Sequence, residues 1–347
     1  MRYLTISSVG SFVGLKGNLL VVKEDNRVIY EAPLSRLRTV RLERHIALSS
    51  DLVLACAARG IKLVFLDWRG VGVSELSGTY QHAVVKVRKS QFDFINSENS
   101  CSLAQEVIKT KIKNQRAVLL YFSKYLCKKG LPAGKLLKDK ADDINPLLNA
   151  ISSINTKETE WRDRLLGIEG RVSVHYWQAL RDTHLLPSTF TNREGRGAQE
   201  ITNAALNYAY AILQSYVHSA LANAGLELYA GFLHVDRPGK PSLALDLMEE
   251  YRAWVVDRTI IKMKSCLEKG EDENRQLLDK NLKKQISDNI DAVMSGLVLY
   301  KGKKCRLENV LQRQVYRLCA TFVGQKRYKG LTFKWWGRNV CKLFGLL

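Results

Sequence analysis

Three short stretches of this sequence carry side chains able to work on phosphate esters. The first is Gly167-Ile168-Glu169-Gly170, an acid bracketed by two glycines in a run of helical spacing that continues to Tyr176-Trp177. Each glycine costs a helix about 1 kcal/mol relative to alanine, so the pair needs a reason, such as close approach of a ligand or a second helix. The second is Gly231-Phe232-Leu233-His234-Val235-Asp236-Arg237-Pro238-Gly239-Lys240-Pro241-Ser242. Its glycines and prolines make it a connector, placing His234 in a loop where an imidazole can bind a metal or touch phosphate. The third follows at once: Ser242 is a natural N-cap for a helix that carries Asp246 and Glu249 one turn apart on one face, then Glu250 and Arg252.

Taken singly, each stretch has an ordinary explanation. A glycine pair can mark a helix crossing, a lone loop histidine is usually a surface hydrogen-bonder, and acids early in a helix interact well with its dipole. The conjunction says more. A loop imidazole runs directly into a helix bearing two carboxylates, with a further acid upstream. That set suits Mg²⁺ or Mn²⁺ with positions left open for water or substrate. Two glycine-containing strings do not qualify as nucleotide sites: residues 237–242 lack the strand and spacing of a phosphate loop, and Arg69-Gly70-Val71-Gly72 lacks a third glycine. Both read as turns.

Charge supplies the partner class. The 347 residues hold 54 Lys and Arg against 34 Asp and Glu, a net charge of +20. The excess lies at the ends: residues 1–90 carry +7, residues 301–347 carry +11, and the 210 between them only +2. Cations at both ends with carboxylates in the middle fit an enzyme that grips a polyanion and holds a metal. The seven scattered cysteines form no CxxC pair, which argues against a disulfide framework or a zinc site. No signal-peptide core or membrane-length apolar run is present, so a cytoplasmic protein is expected.

The elements that must position these residues fall into two parts, an α+β arrangement with a small β-rich, β-sandwich-like domain followed by a larger all-α domain. Residues 2–7, 18–22, 28–31 and 62–67 read as strands, with a turn at Glu24-Asp25-Asn26. Residues 36–42 alternate basic and apolar, as expected of a strand with one wet, cationic face. A helix capped by Ser49 or Ser50 and stopped by Gly60 interrupts the strands. The domain boundaries are drawn as 1–88 for the β domain, 89–102 for a polar linker and 103–347 for the helical catalytic domain with a basic C-terminal tail. In the helical part, Ala104, Val107, Ile108 and Ile112 recur at helical spacing, with Lys109, Lys111 and Lys113 on the other side. Further helices are expected at 157–181, 198–224, 243–268, 273–295 and 307–323.

Together these residues resemble the CRISPR-associated Cas1 endonuclease/integrase family. The Glu-Gly step in a helix ending Tyr176-Trp177, the helix Asn207-Tyr208-Ala209-Tyr210-Ala211-Ile212-Leu213, and the run from Leu233-His234 to Glu249 carry the likeness, and Asn114-Gln115-Arg116 fits it. The resemblance implies that Glu169, His234 and Glu249 are the catalytic metal ligands for Mg²⁺ or Mn²⁺. It gives Asp246 a role either with a second ion or in orienting the first, and turns Arg237, Lys240 and Arg252 toward DNA phosphate. It also implies double-stranded, branched or 3′-ended DNA as substrate, a homodimer built partly through residues 1–88, and a small Cas2 partner. The reaction implied is phosphoryl transfer: a DNA 3′-hydroxyl attacks during spacer integration, and water attacks during nicking. Two rivals stand beside it, a non-catalytic nucleic-acid-binding scaffold and a basic peripheral membrane protein. The last 20 residues, with Trp335-Trp336, carry no likeness, and the tail is read from charge alone.

Overall fold

In chain order the first part comprises β1 (Tyr3–Ile6), β2 (Phe12–Lys16), β3 (Leu19–Glu24), β4 (Arg27–Pro33), β5 (Thr39–Leu42), β6 (Ala47–Leu48), helix α1 (Ser50–Ala58), β7 (Lys62–Leu66) and β8 (Gly72–Leu76). This computed structural model describes residues 3–67, 72–76, 78, 85–195, 197–272 and 278–333. The turn expected at residues 69–71 and the part of the basic tail from residue 334 onward, with Trp335-Trp336, lie outside them.

Asp25 and Asn26 turn β3 into β4 with φ of 46° and 62°, left-handed values that Asp and Asn tolerate and that match the twist of a tight hairpin. Ser49 caps α1 by accepting the Leu52 N–H at 3.2 Å. One sheet runs β1-β5-β7-β8, parallel except for β8, and the other runs β4-β3-β2-β6. Val13, Leu20 and Val22 from one sheet, Val40, Leu42 and Leu63 from the other, and Leu52 and Cys56 of α1 share a single core.

The expected wet face on residues 36–42 is not found. β5 lies between two parallel neighbours and all four of its residues are buried, because a central parallel strand is covered on both faces. Arg36 and Arg38 precede the strand and stay exposed, whereas Arg41 is 2% exposed. Its guanidinium lies 4.1 Å from the Tyr216 ring centre and 3.2 Å from Asp291 Oδ1, and the Tyr216 hydroxyl donates to the same oxygen at 2.6 Å. Arg41 therefore fastens the sheet to the helical part.

Residues 89–102 are mostly helical rather than a linker. Helices α2 (Val85–Ile95) and α3 (Asn99–Lys128) leave only 96–98 between them. The polar composition misleads because Gln91 is an anchor: its buried amide donates to the Glu227 and Ala230 carbonyls and accepts the Glu227 N–H.

Beyond α3 come α4 (Ala133–Asp142), α5 (Asn145–Ser152), α6 (Trp161–Asp182), α7 (Ile201–Asn223), α8 (Ser242–Tyr251), a π-helical turn (Arg252–Asp257), α9 (Arg258–Lys262), α10 (Lys264–Asp272) and α11 (Lys280–Ser295). The hairpin β9 (Leu297–Tyr300) and β10 (Lys303–Arg306) precedes α12 (Leu307–Phe322). This part is mostly helical, not all-helical. α3 is a 30-residue rod, ~45 Å long, packed against α4, α6 and α8. α7 is apolar on nearly every side and runs through the core. No described helix is long and apolar enough to cross a membrane.

Residues 328–333 form a strap across α3 and α8. The Asn114 amide donates to the Glu250 and Leu331 carbonyls at 2.7 and 2.9 Å and accepts the Phe333 N–H at 2.9 Å. The Phe333 ring stacks on Trp254 with centres 5.0 Å apart. Gly330 is required there, since a Cβ would fall 2.1 Å from Thr110 Oγ1 on α3.

Candidate active site

All of α8 except Leu245 is buried, and that includes Asp246, Glu249 and Glu250. A buried carboxylate must be paired, hydrogen-bonded or neutralised. Each of the three meets that demand in a different direction.

Asp246 turns to the preceding loop. Its Oδ2 accepts the Phe232 and Leu233 N–H groups at 2.7 and 2.9 Å, and its Oδ1 accepts the His234 N–H at 2.9 Å and lies 2.6 Å from His234 Nδ1. Gly231 is needed beside it, because a Cβ would lie 2.8 Å from Asp246 Oδ2. Four donors occupy the roughly four acceptor positions of a carboxylate. Of the two roles expected for Asp246, this geometry favours orienting His234 over holding a second ion. With Nδ1–H donated to Asp246, the lone pair sits on Nε2, the arrangement in which a carboxylate backs a metal-binding imidazole. The His234 side chain is 23% exposed.

Ser242 does not cap α8. The N-cap position is Pro241, and the Ser242 hydroxyl instead bonds Asp236 and the Tyr229 carbonyl and accepts the Gly231 N–H. That use closes the loop into a fixed shape.

Glu249 faces α3 and α6. Lys111 Nζ lies 2.6 Å from its Oε2 and Arg252 Nε lies 3.2 Å from its Oε1. Burial opposes its ionisation, but Arg252 and then Lys111 overcome burial and hold the carboxyl at about 2, with His234 near enough to add to the effect. Glu169, on α6, reaches the same ammonium: Lys111 Nζ is 2.5 Å from its Oε1, which also accepts the Ser173 hydroxyl at 2.7 Å. Among the described residues, nothing lies within 4 Å of a Cβ built on Gly167 or Gly170. No described residue therefore crowds that pair, and the glycines leave room for a ligand beside Glu169.

Lys111 contradicts its expected place on the solvent side of α3. Its side chain is 12% exposed and held between two acids. Burial works against its charge, yet Glu249 and Glu169 raise its pKa above that of an ordinary lysine. A sequence signal existed: 104, 107, 111, 115, 118 and 122 recur at three- and four-residue intervals, so Lys111 falls on the apolar stripe itself.

Among the described residues, no three His, Cys, Asp or Glu side chains converge at metal-ligand distances. The space between Glu169 and Glu249 is filled by the Lys111 ammonium. The donor set still fits a hard divalent ion: two carboxylates aimed at one cationic point, beside an imidazole already oriented through Nδ1.

A cavity of about 350 Å³ opens next to Lys111, lined by Ser173, Trp177, Arg193, Tyr210, Arg252 and Asp257 among others. The π turn brings residues five apart into register, so Arg252 and Asp257 share this wall. Arg193 and Arg252 stand 5.2 and 5.0 Å from the centre of the Tyr210 ring, and the Tyr210 hydroxyl donates to Asp257. Burial pushes the Asp257 carboxyl up to about 6, against the hydrogen bonds and cations that favour its charge. Guanidinium groups over aromatic faces suit the phosphate and base of a nucleotide. Of the expected phosphate contacts, Arg252 lines this cavity but is tied to Glu249. Arg237 is exposed and Lys240 half-buried, paired in the turn that follows His234. Lys111, Arg193 and Asp257 were absent from the sequence reading of the site.

The chain matches the family described as CRISPR associated protein Cas1 over residues 4–291. A CRISPR-associated endonuclease Cas1 of Francisella tularensis subsp. novicida is 45% identical over 341 residues, which span 96% of this chain and 100% of that one. Among solved structures, a casposase bound to integration product is similar with a TM-score of 0.74 at 20% identity, covering 95% of this chain and 93% of that chain. A Cas6-RT-Cas1–Cas2 complex is similar with a TM-score of 0.72 at 21% identity, covering 94% of this chain and 35% of that chain. At such identities the two structures attest to the fold alone.

Proposed function

Because the chain belongs to the family of CRISPR-associated Cas1 proteins, we propose that it is a metal-dependent DNA endonuclease and integrase that inserts short DNA fragments into a CRISPR array as new spacers. The observation that carries this reading is the meeting of Glu169 and Glu249, from separate helices, on one cationic point, with His234 near enough to act on the Glu249 charge. Bound by Glu169, His234 Nε2 and Glu249, Mg²⁺ or Mn²⁺ would polarise a phosphodiester oxygen and stabilise the departing oxyanion.

The chain's own residues do the rest. Asp246 keeps the imidazole in the tautomer that frees Nε2. Arg252 keeps Glu249 ionised in a buried setting. Arg193 and Arg252, on the cavity wall, hold phosphate oxygens of the strand entering the site. Trp177 lines the same cavity with an aromatic ring. Arg237 and Lys240 hold the DNA backbone at the rim. The attacking group is a DNA 3′-hydroxyl in integration and water in nicking, so no protein nucleophile takes part.

The reading extends to partners. Double-stranded, branched or 3′-ended DNA is the substrate, residues 1–88 contribute to a homodimer, and a Cas2 protein joins the assembly, as in the complex of similar fold. The protein acts in the cytoplasm. The test is nicking and strand transfer on branched and linear DNA with Mn²⁺, Mg²⁺ or EDTA, comparing wild type with His234→Ala. The expected result is metal-dependent product that the variant loses while still binding DNA. Equal activity in both would sink the metal triad.

A further inference from the structure

Lys111 is a strange neighbour for a metal site. Its ammonium lies 2.5 Å from Glu169 and 2.6 Å from Glu249, at the point where a cation shared by those carboxylates would be held. A divalent ion and an ammonium cannot share that point, because their volumes overlap and their charges repel. We propose that Lys111 is an internal rival of the metal: a tethered cation that holds Glu169 and Glu249 in place until a divalent ion displaces it onto a DNA phosphate in the adjoining cavity. The inference rests on the metal reading above and goes beyond it.

Three features of the fold support a displaceable side chain. First, the lysine stem is flexible, a point charge on four methylenes. Arg252, the other cation on Glu249, is pinned by its position over the Tyr210 ring. Second, α3 itself is fixed. Asn114 is bonded to the strap and to Glu250, and Thr110 packs against Gly330, so any movement belongs to the Lys111 side chain. Third, the lysine has somewhere to go. Lys111 is part of the wall of the 350 Å³ cavity that also presents Arg193 and Arg252, and a phosphate there replaces the carboxylates as its partner.

The arrangement makes metal and DNA cooperative. A phosphate that draws Lys111 away lowers the work of seating the metal, and a metal that expels Lys111 adds a cation to the DNA site. By linkage the two effects are equal in size. In the absence of DNA the same lysine weakens metal binding and keeps the acids paired.

The test measures Mn²⁺ binding to the full chain by electron paramagnetic resonance of free Mn²⁺. It is done alone and with a short duplex bearing dideoxy 3′ ends, for wild type, Lys111→Met, Lys111→Arg and Glu249→Gln. Without DNA, Lys111→Met is expected to bind Mn²⁺ about tenfold more tightly than wild type, while Lys111→Arg binds no more tightly than wild type. DNA should tighten Mn²⁺ binding about tenfold in wild type and by less than about twofold in Lys111→Met. Equal or weaker Mn²⁺ binding by Lys111→Met overturns the inference, as does tighter binding by Lys111→Arg, a variant that keeps the charge should the methionine variant fold poorly. If Glu249→Gln abolishes Mn²⁺ binding while Lys111→Met leaves it unchanged, only the lysine's role falls. If Glu249→Gln binds Mn²⁺ as wild type does, the metal reading falls and takes the inference with it.

Discussion

On one face of α8 the Glu249 carboxylate meets two cations, Lys111 at 2.6 Å and Arg252 at 3.2 Å. On another, Glu250 meets the Leu331 N–H at 3.0 Å and the Tyr328 hydroxyl. The two acids are adjacent in sequence and both are buried. Burial opposes ionisation at each, yet Glu249 is held at about 2 and Glu250 is pushed up to about 8, with Glu106 adding repulsion at the second. Residue type and depth are the same, so the difference comes from what stands opposite. One side of the helix is built to keep a negative charge ready for a cation. The other is built to keep a proton and hold a strap.

Linkage gives the two acids opposite signs. Glu249 sits below the ordinary 4.5, so its stabilisation is present above pH 4.5 and is lost as pH falls toward 2. Glu250 sits above 4.5, so the folded state's advantage is full below that pH and is lost as pH rises through about 8.

The largest effect that would sharpen this contrast is at Glu249. Glu249→Gln should lower nicking and strand transfer by about 100- to 1,000-fold, and activity within a few-fold of wild type would erase the distinction between the faces. Next is Asp246→Asn, which keeps one acceptor oxygen but replaces the other with a donor facing backbone N–H groups. A loss of about 10- to 100-fold in metal affinity or activity is expected, and Mn²⁺ titration reads it. On the strap side, Gly330→Ala forces a Cβ to 2.1 Å from Thr110 Oγ1. It should cost about 1–3 kcal/mol of stability, seen in denaturant unfolding, while the folded fraction stays active. The smallest effect belongs to Glu250→Gln, which mimics the protonated acid. Its activity should stay within about threefold of wild type. Its thermal midpoint should match wild type near pH 4.5 and exceed it increasingly toward pH 8; a parallel pH dependence in the two proteins would show that Glu250 is ionised after all.

The parts of this molecule legible in the sequence are those written locally. His234, Asp246 and Glu249 come from one loop and the helix it enters, and Glu169 is flagged by its two glycines. The turn at Asp25-Asn26 and the Ser49 cap are likewise short-range signals. What could not be read depends on partners far along the chain. Arg41 reads as a wet strand residue until β1 and β7 flank it. Gln91 sits in a polar run and reads as linker until it finds the carbonyls at 227 and 230. Lys111 carries its charge on an apolar stripe, a visible irregularity, but its two acids lie on α6 and α8. The β9–β10 hairpin escaped because its strands are four residues each, and Lys303-Lys304 blurs the alternation.

The strap joins residues that are far apart in the order of synthesis. The bond from Asn114 to the Leu331 carbonyl spans 217 positions, and that from the Phe333 N–H back to Asn114 spans 219. A ribosome therefore delivers α3, α6 and α8, with every proposed metal ligand, well before the segment that closes their rear wall. Until then Asn114 lacks two of its partners and Glu250 lacks the Leu331 N–H. A DNA-cutting centre assembled in this order reaches its final shape only once the strap has followed, 81 positions after Glu250, so a chain interrupted before it is left with an unfinished blade.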